Sequence, residues 1–589
     1  MQTRSLPLRA QIPWLTVVPR HADAACVGLV VLLTAFAQWP MVAGGTVIGI
    51  DASTFFLPMY SFLGDRLRAG DIPMWNPYQF AGAPFAADPQ SGWMYFPAMF
   101  FFTLLSIGAA TNSYLVFHAL LGGLGVYALG RALGLRAVSA LLAAAVYELN
   151  AYTHHFNVRC YVCGAVMAWL PIALLGAEMA IRSRDRLHRC LWWGCAGFAL
   201  SQIYAGWLGQ GAYYALLTLG GYVAYRTLLS PPDMKGAFRD RAGALALHGG
   251  ALLVFGLGLA AAGLLPRLEY NALSTLAGGY TDSSTVASTS RWSPIDGTRL
   301  LHDKALHYLG GATVVLAVLA PFLARKKYCT PFFAGLAIFA LVLTSAGGTP
   351  VHDALYLLLP GFERLHPHYP ERILVVFYLA PAILSGAALN CLWERRGMAF
   401  TLLVLSLPLA LLWVLPGVAP ATIVAALLGT GLWIWGWLHK ERRWLAAVLL
   451  LLVLVSDLLT AQRDLTGRVL SQSHYLALRK VNLSAYYDRT PAADFLLSSQ
   501  QQGSFRYFGY DPQNPDKQKS PPLEWMLPRA TQILGNNRAT SLHLEDLRDT
   551  TPYRWPATGN TWTPSTARAS HTAGCTCSHR ASGHQCWTC

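Results

Sequence analysis

Residues 96–110 read Phe-Pro-Ala-Met-Phe-Phe-Phe-Thr-Leu-Leu-Ser-Ile-Gly-Ala-Ala. Whether this apolar segment crosses a bilayer sets the side on which every later loop lies. A spanning helix needs about 20 mostly apolar residues, so the segment is short for the task and its surroundings must decide. Outward from it, thirteen apolar runs of near-spanning length can be read, at about 25–42, 113–130, 137–151, 161–181, 190–207, 209–227, 244–265, 308–324, 331–346, 372–392, 398–416, 418–438 and 444–461. If 96–110 does not cross, one set of alternate loops collects Arg131, Arg136, Arg182, Arg184, Arg186, Arg189, Arg226, Lys235, Arg239 and Arg241. Arg325, Lys326, Lys327, Arg395, Arg396, Lys440, Arg442 and Arg443 fall on the same side, with Arg4, Arg9 and Arg20 of the N-terminus. That makes 21 basic residues on one face, against about nine in the longer opposite loops. Counting 96–110 as a span scrambles this bias, which marks the cytoplasmic side. We therefore read it as a re-entrant or interfacial element.

Composition agrees. Of 589 residues, 54% are hydrophobic and 12% charged, whereas soluble domains carry roughly 25% charged residues. A water-soluble globule and a disordered chain are both excluded. The formal charge of +15 sits in short loops between apolar runs, so it is a topology signal and not a nucleic-acid footprint. No small-residue cleavage site follows the first run, so it is no signal peptide. The expected fold is an all-α polytopic membrane protein with about 13 transmembrane helices and a partial extracytoplasmic α/β C-terminal region. Residues 1–24 are the cytoplasmic N-terminus and 25–461 the transmembrane domain. Within it, 43–112 form the first extracytoplasmic loop with interfacial helices, and 462–554 begin an extracytoplasmic domain.

Cytoplasmic loops this short and basic leave chemistry to the outer segments 43–112, 266–307 and 347–371. The first contains Ile50-Asp-Ala-Ser-Thr-Phe-Phe-Leu57, then Gly70-Asp-Ile-Pro-Met-Trp-Asn-Pro77, then Pro89-Gln-Ser-Gly-Trp-Met-Tyr-Phe-Pro97. Polar residues alternating with Trp, Tyr, Pro and Gly indicate an ordered, membrane-hugging loop. The spacing over Phe55–Leu67 predicts an amphipathic helix at the interface. Asp51 follows the first apolar run directly. A carboxylate there is costly unless paired or functional; it reads either as a helix N-cap or as a general base facing a cavity. Trp75, Asn76, Asp88 and Gln90 read on their own as turn and interface residues. The pair His154-His155 has no acidic or Cys partner spaced to complete a metal site, and no P-loop or Rossmann pattern is present.

The order of these motifs resembles the YfhO-type bacterial membrane proteins, which are similar to the wider GT-C glycosyltransferases. The carrying residues are Asp51, the Gly70–Pro77 and Phe80–Ala86 stretches and Pro89–Pro97. Leu265-Pro-Arg-Leu-Glu269 with Ser290-Arg291 resembles the family's P-x-x-E … S-x-R loop. Leu359-Pro-Gly-Phe362 with Tyr369-Pro-Glu-Arg372 resembles its LPGF … R-x-P-x-R segment, with His368 where that pattern carries an arginine. The resemblance implies an inverting, hexosyltransferase-like enzyme of the bacterial inner membrane, using a polyprenyl-phosphate sugar donor and a cell-envelope glycan or lipid acceptor. It implies Asp51 as catalytic base, Arg372 on the donor phosphate with Arg291 and Arg364 as second candidates, and Trp75, Asn76, Asp88, Gln90, Tyr95 and Glu269 around the substrates. The chemistry is coherent: inverting displacement needs a base for the acceptor hydroxyl, and a departing lipid phosphate needs a fixed cation. No metal site or other cofactor is firmly implied, although a divalent cation is compatible with phosphate departure.

Two rival classes are a transporter or flippase of lipid-linked glycans and a non-catalytic envelope assembly factor. A transporter expects mid-span charges and an internal repeat. Here charges cluster at span ends, with Glu148 as the exception. Past Arg554 the chain changes character. Residues 555–589 hold no Ile, Leu, Val, Met, Phe, Asp, Glu or Lys and cannot build a core. Cys575, Cys577, Cys586 and Cys589 offer a metal knuckle or disulfides, but a shifted reading frame accounts better for the composition.

Overall fold

The computed structural model describes residues 20–79, 81–232, 237–274, 300, 307–345, 347–394, 418–471, 478–500, 505–508, 534 and 537–547. Arg291, the run 398–416 and the tail 555–589 lie outside these residues. The chain is mainly helical: α1 Arg20–Ala37, α2 Leu57–Arg68, α3 Phe96–Leu104, α4 Ile107–Ala132, α5 Ala137–Leu149, α6 Ala151–Arg159, α7 Tyr161–Arg182, α8 Arg186–Gly206, α9 Gln210–Ala224, α10 Phe238–Ala272, α11 Gly311–Leu323 and α12 Thr330–Val342. There follow α13 Pro350–Leu358, the helical segment α14 Pro370–Trp393, α15 Pro420–Leu438 and α16 Arg443–Ser471. Among the described residues, six helices are long and apolar enough to cross a membrane: α4, α7, α10, α14, α15 and Lys440–Arg463. Shorter apolar helices overlap the runs at 25–42, 137–151, 308–324 and 331–346.

The segment 96–110 divides. Its first part is α3, nine residues long and so about 13 Å at 1.5 Å per residue, less than half a hydrocarbon core of about 30 Å. Extended backbone at Leu105 and Ser106 ends it, and α4 starts at Ile107. α3 lies on α2, and the contact is close: a Cβ added at Gly64 would meet Phe102 O at 2.1 Å. The helix predicted over Phe55–Leu67 is present as α2, and it is packed on more than one face. Leu57, Pro58, Met59, Tyr60, Phe62, Leu63 and Gly64 are all buried, because Phe102 of α3, Tyr114 of α4 and Tyr161 of α7 pack round Tyr60.

A strand pair far apart in sequence fixes the relation of the first loop to the C-terminal region. β1 (Thr46–Gly49) pairs antiparallel with β4 (Leu478–Val481), Thr46 opposite Val481 and Gly49 opposite Leu478. A small hairpin, β2 (Trp75–Asn76) with β3 (Ala83–Pro84), is held to the same region by Ala81 N–H donating to Asp546 O at 3.1 Å. Tyr487 OH donates to Ser53 O, and Asn537 Nδ2 to Thr54 O at 3.0 Å. The first loop and the segment after α16 therefore lie at the same end of the bundle.

The basic loops meet at another end. Arg131 binds Asp23 at 2.7 Å, and Arg182 donates to Ala132 O. Arg136 N–H donates to Asn390 Oδ1 at 2.8 Å, and Lys327 pairs with Glu394 at 2.9 Å. These contacts join loops that the charge pattern assigned to one face.

Candidate functional site

Asp51 stands just past β1, where the chain turns from strand into a single wide helical turn, Ala52–Phe56, that leads into α2. Its backbone is already helical (φ −60°, ψ −37°), and its side chain makes no capping hydrogen bond. The N-cap account of this carboxylate is thereby removed: a cap needs extended backbone and a bond to the N–H groups of the first turn. β1 also presses on the end of α6. A Cβ at Gly49 would meet Arg159 Cγ at 2.8 Å and Cα at 3.2 Å, so glycine there is what lets the strand reach Arg159.

Arg372 enters from the start of α14. Its Nη1 donates to Gln210 Oε1 at 2.9 Å, and its guanidinium lies over the Trp207 ring at 5.8 Å and the Tyr369 ring at 4.9 Å. Buried Gln210, the first residue of α9, also donates from Nε2 to Leu365 O at 2.8 Å and to His368 O. One neutral amide thus ties the arginine to the loop before it. Tyr369 takes a left-handed φ of 53° to make the turn. Burial, then Arg372, pushes the His368 imidazole down to about 4, so it is neutral at physiological pH.

Cys160 follows Arg159 directly and caps the start of α7. Asp51, Arg372 and Arg159 all lie within electrostatic reach of its sulfur. The hydrogen bond from Cys163 Sγ, 3.2 Å away, outweighs burial and the Asp51 charge. With help from Arg372 and Arg159 it holds the Cys160 thiol below its usual range. The strand that leads to Asp51 packs on Arg159, and Asp51, Arg159 and Arg372 each act electrostatically on Cys160. Such a set can accept a proton and hold an anion.

The other sequence-derived candidates divide by exposure. Trp75 is 51% exposed, and its ring lies on Gly82, where an added Cβ would come within 2.6 Å and φ is +111°. Gln90 is partly buried. Asn76 is buried and accepts the Tyr78 N–H at 3.0 Å. Buried Asp88 accepts the Gln90 N–H at 2.7 Å, and desolvation raises its pKa to about 6 against the opposing pull of that bond and Arg267. Tyr95 is fully buried between the His118 ring and Trp169, whose Nε1 donates to it at 3.2 Å. Asn76, Asp88 and Tyr95 thus build the loop from inside. Glu269 is exposed on α10 and among the described residues has no ion pair. Its neighbour Arg267 is buried and bonded to Tyr204 O, Ala205 O and Trp93 O at 3.1, 3.0 and 2.6 Å, so it joins α10 to the first loop and α8. His154 and His155 are buried in α6. Among the described residues no group of three or more His, Cys, Asp or Glu is placed to hold a metal.

Arg159, Cys160, Trp207 and Gln210 escaped the reading of the sequence. Each sits at the end of an apolar run, where an anchor or capping residue is ordinary. A signal was present only in Arg159-Cys160-Tyr161-Val162-Cys163, a cation beside a C-x-x-C at the start of a span.

No protein-family model and no curated protein matches the chain. Among solved structures it is similar to the arabinofuranosyltransferase AftD from Mycobacteria, at 15% identity and TM-score 0.48, over 84% of this chain and 30% of that one. It is also similar to an oligosaccharyltransferase of Archaeoglobus fulgidus, at 13% identity and TM-score 0.47, over 90% and 65% of the two chains. A third similarity is to ArnT from Cupriavidus metallidurans bound to undecaprenyl phosphate, at 14% identity and TM-score 0.45, over 88% and 89%. The chain spans less than a third of the AftD chain it matches.

Proposed function

We propose that this protein is an integral-membrane glycosyltransferase of the GT-C type, which moves a sugar from a polyprenyl-phosphate carrier to a cell-envelope acceptor. The observation that carries this reading is the packing of the strand before Asp51 onto Arg159, with Gly49 against its side chain, beside an Arg372 whose fork is oriented by Gln210, Trp207 and Tyr369. Asp51 takes the proton of the acceptor hydroxyl as it attacks the anomeric carbon, with inversion. Arg372 receives the departing lipid phosphate; its planar fork suits phosphate, and the low dielectric of the interface strengthens the contact. Trp75 and Gln90 are the loop residues open to the sugar, Glu269 faces the acceptor side, and Arg291 is a second phosphate ligand. No metal ion is assigned a role.

This reading places the protein in the bacterial inner membrane with thirteen crossings. The basic end and N-terminus are cytoplasmic; the first loop and the C-terminal region are extracytoplasmic. The paired strands β1 and β4 and the contacts between basic loops support that arrangement. The test is a comparison of envelope glycans from cells with the intact gene, without it, and with Asp51→Asn. Loss of the same glycan modification in the last two, at unchanged protein level, is expected. Full retention with Asp51→Asn would remove the assigned role.

A further inference from the structure

Two cysteines at the start of α7, directly after Arg159, have no part in the chemistry above. Cys160 is the residue before α7 and Cys163 lies in its first turn, so the C-x-x-C spacing puts both sulfurs at one helix N-terminus. They are free thiols, and Cys163 Sγ donates to Cys160 Sγ at 3.2 Å. Cys160 is partly exposed and Cys163 buried, which makes the first the accessible sulfur and the second its resolving partner. Arg159 precedes the pair, and Arg372 acts on both sulfurs. Helix N-termini and neighbouring cations favour the thiolate, the reactive form.

We propose that Cys160 and Cys163 are a reversible thiol–disulfide exchange site whose substrate is a small-molecule or protein disulfide. Its setting at an oxidising, extracytoplasmic surface rests on the topology proposed above. The Cys160 thiolate attacks one sulfur of R–S–S–R; a Cys160–S–S–R bond forms and the original S–S bond breaks, releasing RS⁻. The Cys163 thiol gives its proton to that anion, and its sulfur attacks Cys160 Sγ. The second RS⁻ leaves and takes up the proton that Cys160 had lost. Two thiols are thus oxidised to one disulfide, and one R–S–S–R is reduced to two RSH.

The test uses the full chain in lipid nanodiscs, equilibrated with mixtures of reduced and oxidised glutathione, quenched in acid, alkylated and read by mass spectrometry. Cys160 and Cys163 should lose alkylation together as the buffer becomes oxidising and regain it with dithiothreitol. In Cys163→Ser, Cys160 should be trapped as its glutathione adduct; in Cys160→Ser, Cys163 should stay alkylatable. If both wild-type thiols remain alkylatable across the range, or Cys160 is found bridged to another cysteine, the proposal is overturned. The readout involves no sugar transfer, so its failure leaves the glycosyltransferase reading standing, and inactivity of Asp51→Asn leaves the cysteine pair standing.

Discussion

Two pairs of arginines, one towards each end of this molecule, are held differently. At the basic end they are clamped by carboxylates: Arg226 Nε meets Glu178 Oε2 at 2.7 Å with both side chains buried, and Tyr222 OH donates to the same oxygen at 2.8 Å. Arg131 is likewise set against Asp23. At the other end a neutral amide and two aromatic rings orient Arg372, and backbone carbonyls orient Arg267. A carboxylate clamp holds an arginine through opposite charge, whereas an amide, a ring or a carbonyl fixes the direction of its planar fork. Arg226 and Arg131 tie helices by charge, and Arg267 ties α10 to the first loop through carbonyls; the fixed direction of Arg372 is what the proposed phosphate role uses.

The comparison can be broken in graded steps. Glu178→Gln leaves the buried Arg226 charge without its counter-ion and should cost about 3–5 kcal/mol, read as a lower unfolding midpoint in detergent, while folded protein keeps its transfer activity. Arg372→Gln should do the reverse: unfolding changes little and sugar transfer falls roughly 100-fold, as expected when one donor to a developing charge is lost. Gly49→Ala forces the strand off Arg159 at a cost of about 1–3 kcal/mol, and a displaced Asp51 should slow transfer about tenfold, the equivalent of 1.4 kcal/mol. The smallest effect belongs to Asp88. Its folded-state pKa of about 6 exceeds the ordinary 3.8, so the folded state favours the protonated acid. Stability from this residue is full below about pH 4 and is lost as pH rises through about 6. Asp88→Asn keeps the turn and should flatten that slope in unfolding measurements between pH 4 and 6.

The sequence made the basic end easy to see, because charge bias between apolar runs needs no tertiary information. It also placed Asp51 and Arg372 next to apolar runs and, through the same charge bias, read 96–110 as not crossing. Other features depend on contacts that no local pattern encodes. β1 finds its partner in β4 only after most of the chain has passed. The outer face of α2 looks polar enough for an interface until α3 folds back over Gly64. Gln210 is an ordinary polar residue at a helix start, and only the fold brings Arg372 to it. Asn76 and Asp88 read as turn and interface residues because burial within a loop leaves no periodic signature.

The central claim is that Asp51 is the base of a sugar transfer from a lipid phosphate. Its most direct test is transfer of labelled sugar from a polyprenyl-phosphate donor to envelope acceptor by purified wild-type and Asp51→Asn protein, matched for folded amount. The account predicts a rate at least about 100-fold lower in the variant, within the usual range for general base catalysis, with unchanged unfolding. Equal rates for the two proteins contradict it.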